Sequence, residues 1–126
     1  MARPKLRVGV VDDNRSVGEI ITEILGNRDF ECFDAYDGRG AIEVARTRRL
    51  DLLILDLKLP DIDGLEVIRT LEGEGLHVPT LVITARAEDP AGGWKAHPTV
   101  RGVLRKPFSG GELRRAVAEI TGRELP

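Results

Sequence analysis

Apolar residues along this chain follow two rhythms. Short continuous runs alternate with stretches in which apolar positions recur every three or four residues. The first rhythm predicts strands covered on both faces, the second amphipathic helices packed on them. Leu6–Val11 predicts a first strand, and Asn14 or Ser16 is placed to cap the first helix. Val17, Ile20, Ile21, Ile24 and Leu25 then fall on one helical face that ends at Gly26-Asn27. A short strand is predicted over 31–35, a turn at Asp37-Gly38, and a helix over about 39–48. Residues 51–55 predict a central strand, and Asp63-Gly64 opens a third helix with Leu65, Ile68 and Leu71 facing inward. Strands four and five are predicted over 80–84 and 100–104. Ser109 caps a last helix carrying Leu113, Ala116, Val117 and Ile120.

Strands alternating with helices predict an α/β fold, a doubly wound sandwich around a five-stranded parallel sheet. The right-handed crossover rule leaves few ways to wind it. One connection departs from the pattern. Between Ala85 and Thr99 stand Pro90, Gly92, Gly93 and Pro98, and proline and glycine oppose a helix by about 3 and about 1 kcal/mol relative to alanine. At most a short or distorted helix is expected over 91–96, with loop around it.

Composition narrows the function classes. A chain of 126 residues, 41% apolar and 32% charged, fits one globular domain; the expectation is a single domain over 1–126, without an output domain in it. A net charge of −2 argues against direct nucleic acid binding. Arg46, Arg48, Arg49, Arg114 and Arg115 read as solvated helix faces. Cys32 is the single cysteine, so no intrachain disulfide forms, and it reads as a small buried side chain. No apolar segment reaches membrane-spanning length and no signal-peptide pattern opens the chain. A cytoplasmic location without membrane contact is the expectation.

The chemistry lies where the apolar runs end. Asp12 and Asp13 follow the first strand, Asp56 follows Leu52-Leu53-Ile54-Leu55, and Lys106-Pro107 follows the fifth. If these strands are parallel neighbours, the three carboxylates and the amine converge on one rim. Clustered carboxylates repel unless a proton or cation intervenes, so the arrangement asks for a divalent metal. Taken singly, each residue has a plainer reading. An acidic pair after a strand is a helix cap, Thr84 is an ordinary strand residue, and Lys106-Pro107 is a loop. Asp56 is harder to dismiss, because a carboxylate ending a wholly apolar run costs burial energy unless paired. Asp61 and Asp63 read as a turn and a helix cap. His77 and His97 lie in loops beside prolines and carry no phosphorelay signal. Trp94, between helix breakers, is either a core anchor or a partner contact.

Four segments taken together resemble the receiver domain of two-component response regulators. They are Asp12-Asp13, the stretch from Leu55 through Pro60 to Gly64, Thr84-Ala85, and Lys106-Pro107-Phe108. Their spacing matches too, with 43 residues from Asp13 to Asp56, 28 more to Thr84 and 22 more to Lys106. The resemblance covers essentially the whole chain and implies a flavodoxin-like sheet in the order 2-1-3-4-5. It also implies that Asp56 accepts a phosphoryl group as an acyl phosphate, in a reaction needing Mg²⁺ or Mn²⁺. Asp13, Asp56 and the backbone carbonyl of Lys58 would ligate the cation directly, and Asp12 largely through water. Lys106, oriented by a cis bond to Pro107, would pair with the phosphoryl oxygens, to which Thr84 and the Ala85 amide would donate. The donor would be a histidine kinase or histidine phosphotransfer protein. The recipient of the signal would be an output domain or downstream partner, or a second copy in a homodimer. Such a domain is not an enzyme beyond its own phosphorylation and dephosphorylation.

Two departures from the family pattern stand out. Val103 occupies a position where many receivers carry an aromatic side chain that swings with the threonine. The Gly/Pro-rich segment after Thr84 covers a face through which many receivers bind or dimerise, so the signal is expected to leave by ordering that segment. Lys58 and Arg86 stand at positions that in this family border the attacking water. Other readings fit less well. A haloacid-dehalogenase-type phosphatase wants a second aspartate two residues after the nucleophile, where this chain has Lys58. A flavodoxin-like cofactor module would find Asp12-Asp13 repelling its phosphate. The intact acidic set argues against an interaction module indifferent to phosphorylation.

Overall fold

The computed structural model describes residues 3–85 and 93–123. Five strands form one sheet: β1 (Leu6–Val11), β2 (Phe30–Ala35), β3 (Leu52–Asp56), β4 (Thr80–Thr84) and β5 (Val100–Arg105). Their order is β2-β1-β3-β4-β5, and every pairing is parallel. Among the described residues four α-helices connect or follow them: α1 (Arg15–Leu25), α2 (Gly38–Arg48), α3 (Gly64–Gly73) and α4 (Gly110–Thr121).

The pleat of the central strands divides the core in two. Leu53 and Leu55 join Val11 and Val82 on one face, against Ala41, Ile42 and Ala45 of α2 and Leu65, Ile68 and Leu71 of α3. Leu52 and Ile54 join Val8, Val10, Leu81 and Ile83 on the other, against Ile21 and Leu25 of α1 and Leu113 and Val117 of α4. Side chains alternate across a strand, so an unbroken apolar run supplies both layers at once. All five residues of β3 are buried, including the terminal Asp56.

Each helix starts on a polar side chain that accepts from its first turn. Asn14, rather than Ser16, caps α1 at Ser16 N (3.0 Å); Asp37 caps α2 at Gly40 N (2.6 Å), and Asp63 caps α3 at Leu65 N (2.9 Å). Ser109 and Glu112 form a reciprocal capping box at α4.

Between β4 and β5 the described residues form only a 3₁₀ turn, Trp94–Ala96, as the prolines and glycines predict. Residues 91 and 92 of the expected distorted helix lie outside the described residues, as does the first half of the segment expected to carry the signal outward. Trp94 is 5% exposed and belongs to the buried cluster that also holds Leu71, Val78 and Val82, which makes it a core anchor. Cys32 is half-buried on the edge strand β2. Among the described residues no helix is long and apolar enough to cross a membrane.

Candidate functional site

Register brings the chemistry together. Val11 of β1 stands opposite Leu55 of β3, so Asp12 and Asp56 emerge side by side from neighbouring strands. Asp56 is in turn opposite Ile83 of β4, and Thr84 closes that strand. Lys106 leaves β5 at the same rim, its amide donating to the Thr84 carbonyl at 2.9 Å. The peptide bond from Lys106 to Pro107 is cis. Asp12, Asp13, Asn14, Asp56, Lys58, Thr84, Ala85 and Lys106 line one pocket of about 360 Å³.

Within it Asp12, Asp56 and Thr84 are buried, whereas Asp13 and Lys58 are exposed. The Lys106 ammonium donates to Asp12 Oδ2 at 2.7 Å and to Asp56 Oδ2 at 3.0 Å. The remaining oxygens are also used. Asp12 Oδ1 accepts from Asn14 N at 2.9 Å, and Asp56 Oδ1 accepts from Lys58 N at 3.2 Å.

The electrostatics are unbalanced. Burial pushes the Asp12 carboxyl above its ordinary range, against the lowering by Lys106 and the Asn14 amide. Burial also opposes the Lys106 ammonium, but its hydrogen bonds to Asp12 and Asp56 outweigh that and raise its pKa. Lys106 thus answers Asp12 and Asp56 with a single ammonium, and Asp13 adds a third carboxylate to the cluster, which leaves it with excess negative charge. A carboxylate oxygen from each of Asp12, Asp13 and Asp56 lies within 4.8 Å of the others. Oxygen ligands on opposite sides of a hard divalent cation stand about 4–5 Å apart, so this all-oxygen donor set could hold such a cation. No second such cluster occurs among the described residues.

Two other concavities lie outside the acidic pocket, one beside it and one at the opposite end of the sheet. An apolar groove lined by Val17, Ile20, Ala85, Lys106, Pro107 and Phe108 adjoins it, with Ile20 51% exposed. A groove of about 520 Å³ between α1 and β2, beside Cys32, is larger than the acidic pocket but brings together no carboxylate cluster.

The sequence-predicted residues Asp12, Asp13, Asp56, Lys58, Thr84 and Lys106 thus meet in one pocket, while Arg86 lies outside the described residues. Val103 points outward, 43% exposed. Two polar clusters escaped sequence reasoning. Asp61 is no mere turn residue: its carboxylate accepts from Gly38 N at 2.7 Å and Arg39 N at 3.0 Å, at the start of α2. These donated bonds, Gly38's foremost, hold its pKa down at about 2. His97 Nδ1 lies 2.7 Å from Glu72 Oε1, and Thr99 Oγ1 donates to Glu72 Oε2 at 2.9 Å. Neither cluster has a local motif; the only sequence signal is a carboxylate in a loop or at a helix end.

Known proteins resemble this chain in sequence and fold. Residues 8–118 match the response regulator receiver domain as a family. The response regulator MprA of Mycobacterium tuberculosis is 36% identical over 124 residues, covering 96% of this chain. The chain spans about half, 53%, of that relative's length. The chemotaxis response regulator CheY4 of Vibrio cholerae superposes with a TM-score of 0.83 at 27% identity, covering 92% of this chain and 98% of its own. The receiver domain of the Francisella response regulator 1452 superposes equally well (TM-score 0.83, 94% and 98% covered) at 24% identity, a likeness of fold. With the matched segment running from β1 into α4, the chain belongs to the response regulator receiver domain family.

Proposed function

We propose that the chain is a phosphorylation-operated switch whose acceptor is Asp56. The observation that carries this reading is Lys106 Nζ at 3.0 Å from an Asp56 oxygen, inside a cluster with excess negative charge. An Asp56 carboxylate oxygen attacks the phosphorus of the donor in line, the new O–P bond forms, and the donor's bond to phosphorus breaks. The donor is a phosphohistidine of a kinase or phosphotransfer protein, whose imidazole leaves with its electron pair. Asp12, Asp13, Asp56 and the Lys58 carbonyl would hold Mg²⁺ or Mn²⁺, which neutralises phosphoryl oxygens when bound. Lys106 pairs with a phosphoryl oxygen in place of the carboxylate oxygen it now contacts. The Thr84 hydroxyl and the Ala85 amide donate to the others. Reversal to the resting state is hydrolysis, in which water attacks phosphorus and the Asp56 carboxylate is released with inorganic phosphate.

The apolar groove beside Lys106 supports a protein donor, since Ile20 and Phe108 offer apolar surface next to the reacting carboxylate. The state of Asp56 then governs an output domain or a separate partner, in the cytoplasm where ATP-fed donors act. The direct test is incubation with acetyl phosphate and Mg²⁺, read by intact mass. Wild type gains one phosphoryl group and Asp56→Asn none; equal labelling of the two overturns the assignment.

A further inference from the structure

The loop that follows Asp56 is fastened at both ends, and its far fastening is not on its own helix. At the near end Leu57 is fully buried, its carbonyl accepts from Gly64 N at 2.8 Å, and Lys58 N donates to Asp56 at 3.2 Å. At the far end Asp61 receives the first two amides of α2, at 2.7 and 3.0 Å. Ile62 locks the same contact by packing: a Cβ on Gly38 would stand 2.2 Å from Ile62 Cγ1. Only Lys58, Leu59 and Pro60 separate the buried Leu57 from the anchored Asp61, and the proline fixes one of their φ angles. A segment this short has little freedom once both ends are held.

We propose that Asp61 is a positioning residue: by gripping the N-terminus of α2 it fixes the Lys58 carbonyl at the cation site. This rests on the proposed cation-assisted reading of that site. The grip is suited to the task. The α2 N-terminus presents unpaired amides and a partial positive charge, which favour an anion there. Asp37 caps α2 through a different amide, Gly40 N at 2.6 Å, so α2 has its own cap and does not need Asp61 to begin. Coupling between two sites is reciprocal. Whatever displaces the start of α2 therefore weakens the cation, and loading the cation stiffens the start of α2.

Three variants separate positioning from mere stabilisation, with Mg²⁺ affinity measured by isothermal titration on folded protein. Asp61→Ala should weaken Mg²⁺ binding by about three- to tenfold, less than the roughly ten- to hundredfold that losing a direct outer partner of a metal ligand costs, because Asp61 acts through the loop. Asp61→Asn, which keeps one acceptor oxygen, should fall between. Asp37→Ala should lower thermal stability yet leave Mg²⁺ affinity unchanged. In wild type, Mg²⁺ should also move the Gly38 and Arg39 amide resonances. Unchanged affinity in Asp61→Ala, or an equal loss in Asp37→Ala, overturns the coupling while leaving the cation site standing. A wild type that fails to bind Mg²⁺ overturns the site reading and the coupling with it.

Discussion

Lys106 holds Asp12 more closely than it holds Asp56, at 2.7 against 3.0 Å. The ammonium is thus anchored on the side chain that is not the proposed acceptor. It can exchange its longer contact for a phosphoryl oxygen while keeping the shorter one. Removing it leaves two buried carboxylates without their cation, a fault that costs about 3–5 kcal/mol in a dry interior. This pocket opens to water, so Lys106→Ala should lose about 2 kcal/mol in urea denaturation without divalent metal. Millimolar Mg²⁺ should recover most of that loss. Equal stability of variant and wild type in metal-free buffer would show that Lys106 does not hold the cluster.

The Glu72 cluster predicts a pH effect remote from the acidic pocket. Burial works against ionising Glu72, but the hydrogen bonds from His97 and Thr99 outweigh it and hold its pKa below the ordinary 4.5. A depressed carboxylate stabilises the fold fully above its unfolded value, and that stability is lost as pH falls through the folded value. Glu72→Gln should therefore be less stable by about 1 kcal/mol at pH 7, with the difference shrinking below pH 4.5. Trp94, the single tryptophan, lies three residues before His97 and is buried, so its fluorescence reports this corner directly. A difference that stays constant across the acid range would contradict the linkage.

The Asp61 and Glu72 clusters mark where the sequence stopped being legible. β1, β3 and β4 were readable because strands buried on both faces need unbroken apolar runs. The acidic rim was readable because strand ends in a parallel sheet fix where the next residue goes. The grip of Asp61 was not, because a loop aspartate looks the same whichever amides it accepts, and its partners lie 22 and 23 residues away. His97 and Glu72 are 25 residues apart on an irregular connection and a helix end, where no periodicity predicts contact. Trp94 could be placed only when its pocket was seen, since neighbouring glycine and proline allow either orientation.

Two glycines on α3 should respond in opposite ways to alanine. At Gly64 a Cβ would meet Leu57 Cα at 2.7 Å and the Asp56 carbonyl oxygen at 2.9 Å, both backbone atoms that cannot rotate aside. Gly64→Ala should cost about 2 kcal/mol and disturb the acceptor strand, because overpacking here outweighs alanine's helix preference. At Gly73 nothing lies within 4 Å, so Gly73→Ala should gain about 0.5–1 kcal/mol. Thermal denaturation of the pair decides it; a stabilised Gly64→Ala would mean that β3 and α3 can move apart.

Lys58 is the exposed cation on the acidic pocket's wall, two residues past Asp56. If Asp56 carries the phosphoryl group, hydrolysis needs water in line on the side away from the carboxylate oxygen. A long side chain at the pocket's mouth takes up part of that approach, and keeping water out prolongs a reactive intermediate. Lys58→Ala should therefore shorten the acyl phosphate lifetime by about two- to fivefold, less than about 1 kcal/mol of barrier. Lys58→Arg, of similar length and charge, should change it little. Decay of the labelled protein after removal of acetyl phosphate gives the lifetime. An unchanged lifetime in Lys58→Ala would leave Lys58 a solvated bystander, and a longer one would mean that its ammonium helps the water rather than obstructing it.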